Sequence, residues 1–344
     1  MNRHLLFLSF GLLLLIPACQ SNADKAQNAV AEPKAVTFDF SQIQTGGVKM
    51  IPIETPKGKF KVWTKKFGNS PTVKVLLLHG GPAFTHECFE SFESFFPQVG
   101  FEMYEYDQLG SYYSDQPQDD DLWTIPRFVE EVEQVRKALG LNKDNFYLLG
   151  NSWGGMLAME YALKYQDNLK GLIISNMMAS IPDYEQYNNV LRRKMRKSLI
   201  DSLAKFEAKE DYKNPIYTDL VFKEYYTKHI CRLTEWPDAV LRAIKHVNEH
   251  IYVLMQGPSE FKVGGRLLKW DRKAELKNIK IPTLAIGAAY DTMDPKAMEA
   301  LSKAVQKGRY LHCPKGSHFS FWDDQAHYFP GVIQFIKEVD AGKF

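Results

Sequence analysis

The chain has 344 residues, 45% hydrophobic and 24% charged, enough to bury a large core as one big domain with an insertion or as two domains. A formal charge of +2 with scattered basic residues excludes a nucleic-acid-binding class; the densest basic cluster, Arg192-Arg193-Lys194 with Arg196-Lys197, reads as one solvated helix face. Beyond Cys19 only Cys88, Cys231 and Cys313 remain, too far apart for a C-x-x-C metal pattern, and a core of this size needs no disulfide framework, although one bridge is left open.

Read from the amino terminus, Met1 to Cys19 has a basic start at Arg3, a 12-residue apolar run from Leu5 to Ile16, and then Pro17-Ala18-Cys19. Such a run is too short to cross a hydrocarbon core about 30 Å thick as a helix, so residues 1–18 are expected to be an export signal outside the fold. The small residue before Cys19 resembles the bacterial lipobox. That resemblance implies a lipid anchor at Cys19 and an exported lipoprotein on the periplasmic side of a membrane or at the cell surface; a plain secretory signal cleaved near Ala18 is the alternative. Residues 19–36, rich in Ala, Asn, Lys and Gln without apolar periodicity, read as a flexible tether.

From residue 37 onward strand-like and helix-like runs alternate, as in a mainly parallel, doubly wound α/β sheet with helices on both faces. Lys59 to Lys65 reads as an early strand, Val73 to Leu78 as an apolar strand for the sheet centre, and Phe101 to Tyr106 as the next. Ile125 to Leu139 carries Phe128, Val132, Val135 and Leu139 at helical spacing. Asn145 to Leu149 is a short apolar strand, Met156 to Leu163 has helical composition, and Leu169 to Ser175 is again a buried strand. Over 180–271 the pattern changes to helix upon helix. That stretch is expected to be a helical cap inserted between a first core segment, 37–179, and a second, 272–344. The second segment offers strands at Pro282 to Gly287 and Tyr310 to Cys313, and helices at Pro295 to Val305 and Ala326 to Val339.

The chemistry centres on Gly150-Asn151-Ser152-Trp153-Gly154, a G-x-S-x-G string between a strand and a helix. That order describes a nucleophile elbow, on which a hydrolase exposes its serine. Ser152 needs a base to take its proton and an acid to orient the base, following in the order serine, acid, histidine. Asp291 and Asp294 both follow the Pro282 strand. Asp294 precedes Pro295 and reads as a helix N-cap, which leaves Asp291 as the acid. Of nine histidines, His318 lies in a loop after the final strand, where a base can reach Ser152. The glycine-rich loop Leu78-His79-Gly80-Gly81-Pro82 suits an oxyanion site, with the Gly81 and Trp153 amides as donors.

His79-Gly80-Gly81-Pro82, Tyr106-Asp107-Gln108-Leu109-Gly110-Ser111 and Gly150-Asn151-Ser152-Trp153-Gly154-Gly155 together resemble the proline iminopeptidases. These are a serine-peptidase branch of the α/β-hydrolases that includes the archaeal tricorn-interacting aminopeptidase. Tyr165 to Ile173, Gly257-Pro258-Ser259-Glu260-Phe261 and Gly316 to Trp322 add to the likeness, which runs from about Phe40 to Lys337. The resemblance implies an α/β-hydrolase fold, the triad Ser152, Asp291 and His318, and release of a peptide's first residue, often proline, through an acyl-enzyme. It also implies that Glu260 grips the free amino terminus, that Tyr252 lines the pocket, and that Gly80 borders the substrate. Two positions depart from the family pattern: Ala83 stands where H-G-G-P-G has its last glycine, and Thr292 stands where the branch commonly carries a second glutamate.

The expected function is therefore a serine aminopeptidase acting on a peptide substrate, with an esterase or amidase for substrates lacking a free amino terminus as the alternative. A non-catalytic binding lipoprotein is the third reading. No metal and no organic cofactor is expected, because triad hydrolysis needs neither.

Overall fold

The computed structural model describes residues 45–344; the export signal, the tether and Cys19 fall outside the described residues. Eight strands form one sheet: β1 (Val48–Thr55), β2 (Gly58–Phe67), β3 (Lys74–Leu78), β4 (Glu102–Asp107), β5 (Phe146–Asn151), β6 (Gly171–Ser175), β7 (Pro282–Ala288) and β8 (Lys307–Cys313). Their spatial order is β1-β2-β4-β3-β5-β6-β7-β8. The β1–β2 and β2–β4 pairs are antiparallel and every other pair is parallel. The sequence pattern did not disclose β1. Its Pro52 argues against a strand, yet Pro is tolerated at a sheet edge, where β1 lies, and Ile51 and Ile53 are both buried.

In the first core segment α1 (Ile125–Ala138) and α2 (Trp153–Tyr165) follow β4 and β5. Between β6 and β7 come α3 (Ile181–Arg193), α4 (Lys197–Glu207) and α5 (Pro215–Val221), the last running through a π-helical turn at Phe222–Tyr226 into α6 (Thr227–His229). Then follow α7 (Asp238–Lys245) and α8 (Glu249–Met255), and after β7 come α9 (Pro295–Ala304), α10 (Ser320–Asp323) and α11 (Gln325–Asp340). Strand alternation divides the core between two faces. Leu76, Leu78, Leu148 and Ile174 pack with Val132 of α1, Leu157 of α2 and Met298 of α9. Val75, Leu77, Leu149 and Ile173 pack with Phe89, Phe92 and with Val332 and Phe335 of α11.

The helical excursion leaves the core at Ser180 and returns at Asp271, which pair as an isolated antiparallel bridge. The Ile181 N–H donates to the Trp270 carbonyl at 2.9 Å and the Arg272 N–H to the Ala179 carbonyl at 2.8 Å. The far helices are tied down as well. Asn248, the N-cap of α8, donates its backbone N–H to the Ala83 carbonyl at 3.0 Å and its side-chain amide to the Gly110 carbonyl at 3.1 Å. Cys88, Cys231 and Cys313 are buried free thiols, so none of the three is bridged. Among the described residues no helix is long and apolar enough to cross a membrane.

Candidate active site

Ser152 occupies the single residue between the end of β5 and the start of α2, with φ +56° and ψ −127°. A non-glycine residue held there stores roughly 1–3 kcal/mol of backbone strain. The conformation is fixed by its hydrogen bonds: Ser152 N–H donates to the Ser175 carbonyl at 3.1 Å, and the Ser152 carbonyl accepts from Gly155 N–H at 2.7 Å. The flanking glycines are steric requirements. A Cβ on Gly150 would stand 2.0 Å from the Gly154 carbonyl oxygen, and one on Gly154 would stand 1.9 Å from that of Leu78.

Asp291 lies just beyond β7 and is fully buried. Its Oδ1 accepts from His318 Nδ1 at 2.8 Å, and its Oδ2 accepts from Asn176 Nδ2 at 2.7 Å. Burial alone would lower the His318 pKa, but the charge and hydrogen bond of Asp291 outweigh it and hold the imidazole above its ordinary value. The chain carrying the base is pinned at the backbone: His318 N–H donates to the His229 carbonyl at 2.9 Å, and Phe319 N–H to the Ile230 carbonyl at 2.8 Å. Asp294 caps α9, accepting from Lys296 N–H at 2.9 Å, and is not part of the cavity wall.

The loop after β3 supplies polar hydrogens. Gly81 has φ +108°, and a Cβ on Gly80 would stand 3.1 Å from Ser152 Cβ and 3.6 Å from its Oγ, so this backbone lies against the serine. The N–H groups of Gly81 and Trp153 have no acceptor among the described residues. His79 stiffens the loop as a neutral imidazole: burial pushes its pKa down to about 4. Its Nδ1 donates to the Gly80 carbonyl at 2.9 Å, and its Nε2 accepts from Gln108 N–H at 3.1 Å. Gln108 in turn accepts from the Trp153 indole at 2.8 Å, which joins the loop to the elbow.

Ser152, His318, Gly80, Gly81, Tyr252 and Glu260 line one cavity of about 830 Å³. Phe84, Ile230, Phe319 and Val253 give it apolar walls, and it reaches solvent beside the exposed pair Lys213 and Glu249. The Glu260 carboxylate is clasped by two phenols, accepting from Tyr252 at 2.6 Å on Oε1 and from Tyr184 at 2.8 Å on Oε2. Burial, reinforced by the Glu260 charge, holds both hydroxyls well above the ordinary phenol range, so each remains a donor. Thr292 turns to the acid and base: its hydroxyl is 3.3 Å from Asp291 Oδ1 and 3.5 Å from His318 Nδ1. Among the described residues no cluster of His, Cys, Asp or Glu is arranged to hold a metal ion.

Sequence reasoning missed Asn176 and Tyr184. Asn176 sits at φ +54° directly after β6, and its Oδ1 accepts from the Ser175 and Ser320 hydroxyls at 2.7 and 3.1 Å, which fixes the amide that holds Asp291. A polar pair, Ser175-Asn176, closing an apolar strand was the available signal. Tyr184 offered none, being one of two tyrosines on an amphipathic helix.

A family model for the alpha/beta hydrolase fold matches residues 74–325. The chain is 64% identical over 297 residues to a proline iminopeptidase of Elizabethkingia meningoseptica, covering 86% of this chain and 100% of the relative. It is also 64% identical over 295 residues to a proline iminopeptidase of Flavobacterium johnsoniae, covering 86% and 99%. The crystal structure of a Mycobacterium smegmatis proline iminopeptidase superposes with a TM-score of 0.77 at 26% identity, covering 86% of this chain and 100% of that one. By sequence and by fold, the chain belongs to the proline iminopeptidase family of the α/β-hydrolases.

Proposed function

We propose that this enzyme is a serine aminopeptidase that releases an amino-terminal proline, or another small residue, from short peptides. One observation carries the reading: the tyrosine-clasped Glu260 carboxylate lines the same cavity as Ser152 and His318. A half-buried carboxylate pairs with an ammonium or prolinium group, and a blocked terminus leaves it unpaired at a cost. The apolar walls at Phe84, Ile230 and Phe319 suit a small aliphatic ring, and the leaving peptide extends toward the solvent-exposed Lys213 and Glu249.

In this mechanism Ser152 Oγ attacks the first peptide carbonyl while His318 Nε2 takes its proton, with Asp291 accepting the Nδ1–H so that Nε2 is the nitrogen left to act as base. The oxyanion is stabilised by the Gly81 and Trp153 amides. His318 then protonates the departing amine and activates the water that hydrolyses the acyl-enzyme. The helices between Ser180 and Asp271 act as a cap that sets the length of the amino-terminal subsite.

The test compares proline and alanine arylamides with their N-acetylated forms and with simple aryl esters. Selective turnover of the free-amine substrates is expected. Equal or faster hydrolysis of the blocked ones would replace this reading with an esterase or amidase, consistent with a site holding one clasped carboxylate rather than two.

For the segment outside the described residues we propose export and lipidation at Cys19. Metabolic labelling with a fatty acid should mark the native chain and not Cys19→Ala; equal labelling of both, or of neither, contradicts the anchor.

A further inference from the structure

His229 closes α6 of the helical excursion and reaches two segments of the core at once. Its backbone carbonyl accepts from the His318 N–H at 2.9 Å, and its ring Nδ1 lies 2.7 Å from the Tyr290 carbonyl oxygen. A carbonyl only accepts, so Nδ1 carries the hydrogen and donates it. Burial lowers the pKa of this imidazole below its ordinary value, and the ring is therefore neutral in the range where His318 works as a base. The Tyr290 carbonyl and the Asp291 N–H belong to one planar peptide unit, so a bond to that oxygen orients the backbone entering the acid. The neighbours of His229 hold it in place. Ile230 donates its N–H to the Tyr226 carbonyl at 2.8 Å, and its own carbonyl accepts from the Phe319 N–H at 2.8 Å and from the Ser317 hydroxyl at 2.9 Å. Arg232 donates its N–H to Asp323 Oδ2 at 2.9 Å, and its guanidinium lies 3.5 Å from the centre of the Tyr290 ring.

We propose that His229 is a positioning residue that sets the acid against the base, its imidazole holding the peptide unit before Asp291 and its carbonyl holding the backbone of His318. The proposal rests on the triad of the reading above and adds to it a residue from the helical excursion. The contact between Asp291 Oδ1 and His318 Nδ1, at 2.8 Å, is made by two loops that follow different strands, β7 and β8. The side chains meet only while those loops keep their spacing, and His229 is bonded to the backbone of both. Displacing a reacting centre by about 1 Å can cost on the order of a hundredfold in rate. Freeing one peptide unit moves the acid by less than that, so a loss of about tenfold is expected. The triad serves every substrate, and the loss falls on kcat of anilides and esters alike, unlike the removal of a charge from Glu260.

The test measures kcat and KM for proline p-nitroanilide and for p-nitrophenyl acetate, and the rate of inactivation by a fluorophosphonate, in the native enzyme, His229→Phe, His229→Ala, His229→Asn and Ser152→Ala. Phenylalanine keeps a ring against Tyr225 and removes the donor, and alanine carries the same test should the phenylalanine variant not fold. Asparagine places an amide N–H the same number of bonds from Cα as Nδ1. His229→Phe should lower kcat on both substrates, and the inactivation rate, about tenfold, while each KM moves less than about threefold. His229→Asn should return all three rates to within about threefold of native. An unchanged kcat in His229→Phe and His229→Ala, a loss confined to KM, or an equal loss in His229→Asn overturns the proposal. Its failure is distinguishable from failure of the triad. Full hydrolysis by Ser152→Ala removes the triad and the role of His229 with it. An inactive Ser152→Ala beside an unimpaired His229→Phe removes the role of His229 alone.

Discussion

Replacing Glu260 by Gln isolates the charge of the amine-binding group while leaving its surroundings paired. Tyr252 can keep donating to the remaining side-chain oxygen, and Tyr184 retains the Glu260 backbone carbonyl at 2.9 Å as acceptor, so neither phenol is orphaned. What disappears is attraction to a substrate ammonium. At about 4 Å and an effective dielectric near 20 that attraction is about 4 kcal/mol before desolvation is subtracted. A hydrogen bond to a charged partner contributes about 1.5–3 kcal/mol net, and a loss of 2–3 kcal/mol corresponds to roughly 30- to 150-fold. kcat/KM for proline p-nitroanilide should therefore fall by that factor in Glu260→Gln. The same preparation assayed on p-nitrophenyl acetate should lose less than about threefold, because that ester carries no cation. A loss below about threefold on the anilide, or the same loss on both substrates, would refute the ammonium role of Glu260.

Asn176→Gly keeps the φ of +54° available but removes the amide donor 2.7 Å from Asp291 Oδ2, so kcat should fall about tenfold with KM nearly constant; an unchanged kcat would show that the donor does not position the acid. The acidic limb of the kcat/KM profile should lie above 6.5, because His318 works as a neutral base and Asp291 holds its pKa above that ordinary value; a limb below it would contradict the pairing. Ala83 is a buried non-glycine residue at φ +59°, so Ala83→Gly should stabilise the fold by about 1 kcal/mol in denaturant unfolding, and a clear destabilisation would show that the loop is not strained there.

Much of the core was legible because a central parallel strand is buried on both faces and so reads as a run of apolar residues, as Val75 to Leu78 do. The edge strand β1 was not, since alternation at Ile51 and Ile53 is interrupted by Pro52. The positions singled out by the G-x-S-x-G, H-G-G-P and G-S-H strings, together with Glu260 and Tyr252, meet at one cavity, because such strings encode local turns that aim a side chain. Thr292 was read only as a missing carboxylate. Its approach to His318, 26 residues on, arises where the loop after β7 meets the loop after β8, which no local string records. The effect of Ala83 was likewise invisible until its left-handed backbone was in place.

The central claim is that Ser152 is the nucleophile activated by His318. Intact-mass and peptide-mapping spectrometry after reaction with a fluorophosphonate measures it most directly. One adduct on Ser152, formed in step with loss of peptidase activity and absent from Ser152→Ala and His318→Ala, is the predicted result. An adduct on another residue accompanying inactivation, or full hydrolysis by Ser152→Ala, would contradict it.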